Sequence, residues 1–260
     1  MNCQDQNRYS EMKNITDTTF IIPIRVDSHV RLENILLITR FLIEHFDTKI
    51  KILECAPYNN GLLSKLLEKT ITYCFQEDND SVFYRTKYIN QMVRTVDTPY
   101  VSVWDADVIT PVDQIVQAIE LLRTGEADFI YSYEKQFLDT SFIIRKLFIQ
   151  ERKMEILEQN IKKMKAGYLP DPVGGAFFAN LKAYKEVGFE NENFYGWGPE
   201  DIERFRRWKN LGYRVKRVSG PLFHLSHERG VNSRYRNSNQ YYHNFKEIGK
   251  TCRYKTATTY

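Results

Sequence analysis

Pro99-Tyr100-Val101-Ser102-Val103-Trp104-Asp105-Ala106-Asp107 sets a short apolar run directly before two carboxylates one residue apart. The run reads as a buried strand, and its polar end as the place where that strand leaves a sheet. Two Asp at this spacing can jointly hold a divalent cation, Mn²⁺ or Mg²⁺, that clamps phosphate oxygens. Asp78-Asn79-Asp80 has the same pattern and serves as an internal control. It sits in a polar loop with no apolar strand before it, and reads as a turn.

Working outward, the same alternation recurs over the first 130 residues. Thr19 to Ile24 reads as a strand, Asn34 to Phe46 as an amphipathic helix, Lys49 to Leu53 as a strand, and Leu62 to Leu67 as a helix. Ile71 to Phe75 is a strand, Tyr84 to Val96 a helix, Pro111 to Arg123 a helix with Pro in its first turn, and Phe129 to Tyr131 a strand. Strand and helix in turn predict an α/β fold with a mostly parallel central sheet flanked by helices. Ligands in such sheets bind beyond the carboxyl ends of the strands, where Asp105 and Asp107 fall. Further along, Ser141 to Lys165 carries a long helical pattern. Gly174 to Ala179 reads as a strand, Glu200 to Leu211 as a helix that Gly212 ends, and Tyr213 to Val218 as a strand.

Two more segments carry chemistry. Tyr195-Gly196-Trp197-Gly198-Pro199-Glu200-Asp201 places a large aromatic in a glycine-flanked loop and two carboxylates at a helix start. Carboxylates there can simply complement the helix dipole, or one can serve as a general base for a substrate hydroxyl. The aromatic would be a platform for a sugar face, with Tyr195, Trp197 and Trp104 the rings expected near the site. His224-Leu225-Ser226-His227 follows a strand and Gly220-Pro221 and reads as a loop. Two His three apart can reach one metal if the backbone turns, and imidazole suits Mn²⁺.

The chain has 260 residues, 42% of them hydrophobic and 27% charged, which is globular composition with no need of a disulfide or metal to fold. Its four cysteines form no metal-ligand spacing, and Cys55 and Cys74 are expected as buried thiols. A net charge of +4 is too small to make nucleic acid the default partner but would not repel anionic substrates or membranes. No stretch approaches a membrane span and residues 1–17 lack a signal-peptide core, so a cytoplasmic protein is expected. The expected organisation is a polar leader over 1–18, one catalytic domain over 19–232, and a basic, aromatic tail or lid over 233–260.

On these residues the chain resembles the inverting glycosyltransferases of GT-A fold, a Rossmann-like nucleotide-sugar-binding architecture. It is most similar to the β-1,4-galactosyltransferases and related bacterial polysaccharide transferases. The matching motifs lie in one colinear order over residues 19–232. Pro23, Ile24 and Arg25, with Asp27 just beyond, fall in the first-strand loop that holds the uridine nucleotide. Arg85 is the helix arginine that contacts the donor, and Asp105-Ala106-Asp107 the metal and diphosphate motif. Gly174 and Gly175 line the donor sugar. Tyr195, Trp197, Gly198, Glu200 and Asp201 hold the acceptor, with Asp201 as base. His227 is the distal metal ligand and His224 a second one. Two departures bear on recognition: Ile202 stands where relatives often have a third carboxylate, and Val26-Asp27 where animal relatives carry a further basic residue.

The resemblance implies a UDP-sugar donor, with Mn²⁺ or Mg²⁺ on Asp107, His227, His224 and Asp105, the last also within reach of the ribose. The implied acceptor is a saccharide, free or lipid-linked. It implies a single in-line displacement in which Asp201 deprotonates the acceptor and Glu200 hydrogen-bonds sugar hydroxyls. Galactose is the first expectation for the donor sugar, then N-acetylgalactosamine or glucose. A bare catalytic domain suggests surface-polysaccharide assembly (capsule or lipopolysaccharide) at the inner face of a bacterial membrane. Competing readings are a nucleotidyltransferase, disfavoured because Pro23 to Arg31 lacks Gly, and a carbohydrate-binding protein without turnover. The basic and aromatic tail would suit a lid, an anionic lipid surface or, least, a single nucleic-acid strand.

Overall fold

The computed structural model describes residues 12–168, 170–230, 232 and 235–253. In chain order its elements are β1 (Lys13–Ile24), α1 (His29–His45), β2 (Phe46–Ala56), α2 (Leu62–Leu66), β3 (Thr72–Glu77), α3 (Arg85–Val93), β4 (Tyr100–Trp104), β5 (Val108–Ile109), α4 (Val112–Arg123), β6 (Phe129–Tyr131) and β7 (Gln136–Asp139). There follow α5 (Phe142–Glu151), α6 (Met154–Glu158), a 3₁₀ turn (Ile161–Lys163), β8 (Lys165–Gly167), β9 (Ala176–Asn180), α7 (Leu181–Glu186), α8 (Glu200–Asn210), β10 (Val215–Arg217), β11 (Pro221–His224) and α9 (Ser238–Arg253).

Seven strands form the main sheet in the order β10-β6-β9-β4-β1-β2-β3. Within it β1, β2, β3 and β4 run parallel, and β9 is antiparallel between β4 and β6. The central strands are covered on both faces, which is why Thr18 to Ile24 is buried without a break instead of alternating. Phe20, Trp104 and Phe178 meet edge-to-face at 5.4–5.8 Å to form the middle of the core. A second sheet, β5-β11-β7-β8, lies beyond the end of β4.

The antiparallel pairing of β9 with β4 positions the cleft. It sets the start of β9 against the end of β4, Trp104 opposite Ala176, and the Asp105 N–H donates to the Gly175 carbonyl at 2.8 Å. Residues 105–107 and 174–175 are thereby neighbours.

Several expectations are corrected. The leader is shorter than 18 residues: β1 begins at Lys13, and Ile15 and Thr18 are buried. The helical pattern over 141–165 is broken, because Arg152 takes a left-handed backbone (φ +53°) that ends α5, and the chain reaches strand β8 by Lys165. Pro221–His224 is a strand, so His224 ends β11 and only His227 is in the loop. Residues 238–253 are a helix docked on α8, with Asn244, Glu247 and Thr251 buried, and Thr251 Oγ1 donating to Glu203 at 3.1 Å. Cys55 is buried as expected but Cys74 is exposed. Cys3 and the Cys252 side chain lie outside the described residues. Among the described residues no helix is long and apolar enough to cross a membrane.

Candidate active site

Strand register builds one wall of a cleft of about 460 Å³. His224 stands opposite Val108 of β5 on one flank and Asp139 of β7 on the other. The Leu225 N–H donates to the Asp107 carbonyl at 2.7 Å, clamping the residue before β5 to the end of β11. Three positions far apart in sequence thus fall in one row. His227 joins from the loop, its Nε2 3.1 Å from Asp107 Oδ2, while His224 Nε2 is 3.7 Å from Oδ1. One ligand atom each from Asp107, His224 and His227 lies within 4.8 Å of the others.

The ring orientations fit a cation. His224 Nδ1 is 2.6 Å from Asp139 Oδ1, and His227 Nδ1 is 2.8 Å from the Glu228 carbonyl oxygen. An ionised carboxylate and a carbonyl only accept, so each Nδ1 carries a proton, and each ring presents its Nε2 toward Asp107 as the atom that would coordinate a cation. Such a set calls for positive charge at its centre. Burial would lower the His224 pKa, but Asp107 and Asp139 raise it to about 9. Burial alone would raise Asp107, yet the two imidazoles hold it well below the usual carboxylate range. Two nitrogens and a carboxylate suit Mn²⁺ better than Mg²⁺, which prefers an all-oxygen shell.

Asp105, expected to share the metal, is turned elsewhere. Its Oδ1 accepts from Arg85 Nη2 at 2.6 Å and Nε at 3.1 Å; residues 105–107 form the turn between β4 and β5, so the shared face that i and i+2 would have in a strand is lost. It lies outside the three-ligand group.

The facing wall is held by side chains. Asp201, on the first turn of α8, has Oδ1 2.5 Å from Arg204 Nη2 and 3.7 Å from Arg85 Nη1. Arg204 is almost fully buried, paired to Glu190 at 2.9 Å and set over the Phe177 ring at 4.4 Å. Gly174 has no room for a side chain, since a Cβ there would lie 2.7 Å from Asp201 Oδ2. Glu200 is buried beside Asp201, and burial first, then that neighbour, lifts its pKa to about 8 against the pull of Arg85. Buried Arg85 Nη1 and Glu200 Oε2 have no hydrogen-bond partner among the described residues. Orphaned polar atoms at a cleft wall mark where a polar ligand belongs.

The cleft lining contains Pro23, Ile24, Arg25, Asp27, Arg85, Asp105, Ala106, Asp107, Gly174, Gly175, Trp197, Gly198, Glu200, Asp201, His224 and His227. Ile202 lines it too. Some expected roles do not fit the geometry. Arg25 has its guanidinium spent on the Cys55 and Asp80 carbonyls and on Asp78, at 2.7–3.0 Å, so it shapes the wall rather than offering a free donor. Tyr195 is not part of the lining; its hydroxyl is bound to Asp80 and its ring packs edge-on against Tyr84. Trp104 is in the core, with Nε1 bonded to the Val108 carbonyl at 2.9 Å. Asp78 and Asp80 thus serve as braces, in line with the turn reading of that triplet.

The family described as the N-terminal domain of galactosyltransferase matches residues 159–228. The catalytic domain of Drosophila β-1,4-galactosyltransferase 7, in complex with xylobiose, superposes with a TM-score of 0.54 at 16% identity, over 89% of this chain and 79% of that one. The fold is that of the GT-A glycosyltransferases. A single-residue variant of the Drosophila enzyme with manganese, UDP-Gal and xylobiose gives 0.54 at 15% identity, over 88% and 79%. Glucosyl-3-phosphoglycerate synthase from Mycobacterium tuberculosis, with Mn²⁺, UDP-Glc and phosphoglyceric acid, gives 0.54 at 14% identity, over 90% and 79%. No curated protein matches the chain by sequence. The family match and these neighbours agree with the resemblance drawn from the motifs.

The sequence reading missed three kinds of residue. Asp139 supports His224, Arg204 supports Asp201, and Phe137, Tyr168 and Tyr235 are among the further residues of the lining. Arg204 was legible in principle, since it stands three residues after Asp201 on one helix face. Asp139 was not, since it meets His224 only through pairing of strands 85 residues apart.

Proposed function

We propose that the chain is a metal-dependent inverting glycosyltransferase that moves a hexose from a UDP-sugar to a saccharide acceptor. One observation carries the reading: a three-ligand cation site and a propped, ionisable carboxylate line the same cleft in a GT-A fold. Asp107, His224 and His227 would hold Mn²⁺, which when bound supplies charge compensation for the leaving diphosphate. Arg85 orients the carboxylates around the donor and keeps Nη1 free to donate to it. Asp201 takes the proton of the acceptor hydroxyl, with Arg204 holding its Oδ1 in place. The acceptor oxygen bonds to the anomeric carbon as the bond to the diphosphate oxygen breaks on the opposite face, so configuration inverts. Glu200, protonated at neutral pH, donates a hydrogen bond to a sugar hydroxyl. Trp197 supplies an apolar face for the sugar ring.

Galactose is the donor sugar favoured by the galactosyltransferase match; glucose is the second reading, favoured by the equal superposition on the UDP-Glc complex. The acceptor is a saccharide, free or lipid-linked, and the setting surface-polysaccharide assembly at a cytoplasmic membrane face. A panel of UDP-sugars with Mn²⁺, scored by donor hydrolysis and saturation-transfer NMR, tests the reading. Metal-dependent hydrolysis of at least one UDP-hexose is expected; no response to any of them overturns it.

A further inference from the structure

Helix α5 turns an apolar face to solvent. Ile144, Arg145 and Phe148 are buried, whereas Phe142 (56% exposed), Ile143 (74%) and Leu147 (43%) stand outward with Lys146 and Gln150. At 3.6 residues per turn these five fall within one arc of about 140°. The opposite side is fixed: Arg145 is bonded to Asn34 at 2.8 Å and Glu33 at 2.7 Å of α1, so the outward face cannot roll under. The residues that follow are basic. Between 142 and 165 the exposed charged side chains are Lys146, Arg152, Lys153, Lys162, Lys163 and Lys165 against Glu151, Glu155 and Glu158.

We propose that this face docks the protein on an anionic lipid surface, with Phe142, Ile143 and Leu147 entering the interface and Lys146, on the same arc, meeting headgroups together with the basic residues that follow the helix. A second copy of the chain is a poorer occupant. Three side chains offer on the order of a few hundred Å², short of the roughly 800 Å² per partner of a stable interface. A two-fold contact would also set like charges against each other.

The segment that carries the patch lies between cleft residues in the chain. It begins three residues after the end of β7, where Asp139 holds His224, and β8 leads on to Tyr168 in the lining. This connection through the chain suits an acceptor that is lipid-linked and presented at the headgroups. That purpose rests on the transferase reading; the docking itself does not.

Co-sedimentation of the full chain with vesicles of phosphatidylglycerol and phosphatidylcholine, against phosphatidylcholine alone, tests the proposal. Binding is expected to the anionic vesicles only, weakening as salt rises. Ile143→Asp is expected to lower the partition coefficient at least about tenfold. Lys146→Glu should lower it at least about fivefold, on about fivefold per basic residue. In both variants the thermal midpoint and Mn²⁺-dependent donor hydrolysis stay at the level of the parent chain. Absence of binding to anionic vesicles, equal binding to neutral ones, or variants that bind like the parent overturn the docking. So does a concentration-dependent dimer in sedimentation velocity that Ile143→Asp abolishes, which assigns the face to a second copy. Vesicle binding without hydrolysis of any UDP-sugar would remove the transferase reading and leave the docking intact.

Discussion

The two walls of the cleft are built by different means. The wall of Asp107, His224 and Asp139 is placed by backbone register across β5, β11 and β7. The wall of Glu200 and Asp201 rests on a helix start, a glycine loop, and the guanidinium groups of Arg85 and Arg204. α9 props the same loop, with Gln240 Nε2 donating to the Tyr195 and Trp197 carbonyls at 3.0 and 2.9 Å. A site fixed by sheet pairing can lose a side chain and keep its shape. A site fixed by ion pairs loses position when a pair is broken. Substitutions on the first wall should therefore read out as affinity, and on the second as turnover and stability together.

The largest effect expected is that of Asp201→Asn. Removing the base should lower transfer by about 10²–10⁴, while Mn²⁺-dependent UDP affinity, measured by calorimetry, stays nearly unchanged. Wild-type turnover in this variant would mean that the base is on another residue.

Next comes Arg204→Leu. It leaves Glu190 without its buried partner, and breaking a buried pair in this way costs about 3–5 kcal/mol. Chemical denaturation should register that loss, and turnover should fall even in the protein that remains folded, because Asp201 is no longer held. If stability falls with turnover per folded molecule intact, Arg204 braces the core alone and the contrast between the walls weakens.

On the register-built wall, Asp139→Asn should weaken Mn²⁺ binding by about 10–100-fold. An amide can offer His224 Nδ1 either an acceptor or a donor, so the tautomer is no longer dictated. The thermal midpoint without metal should move little, because backbone pairing of β7 and β11 is untouched. Electron paramagnetic resonance of added Mn²⁺ reports the affinity directly. A large loss of stability with unchanged affinity would show that Asp139 serves the fold and not the ligand.

How far each wall could be read in advance follows from the same contrast. The strand ending at Trp104 and the carboxylates after it were legible because an interior parallel strand is an unbroken apolar run. The pairing that delivers His224 to Asp107 was not, since β5 and β11 are two and four residues long and carry no period to detect. The Ser141 to Lys165 pattern misled because Arg152 takes a left-handed turn with no Gly or Pro to announce it. Arg25 was read as a donor contact by its place after the first strand. Its guanidinium is consumed by Asp78 and two carbonyls, partners that the sequence keeps 30 to 55 residues away. Tyr195 and Trp197 looked alike as platforms, and only a tyrosine has the hydroxyl that Asp80 captures.

The smallest effect expected is a matter of pH. Glu200 has an ordinary value of 4.5, raised to about 8 in the folded chain by burial and by Asp201. Between those values the folded state holds a proton that the unfolded state has released. Its contribution to stability is thus fully present below about pH 4.5 and lost as pH rises through about 8. Glu200→Gln carries no such proton and should flatten the fall in thermal midpoint between pH 5 and about 8.5 by a few degrees, measured without metal. Turnover should lose its alkaline limb in the same variant, because the amide still donates a hydrogen bond where the ionised carboxylate cannot. A variant whose midpoint falls with pH as steeply as the parent chain would place the titrating proton on another carboxylate beside Arg85. The proton-holding acid would then be Asp105, which burial also raises, and Glu200 would lose its role as a hydrogen-bond donor to the sugar.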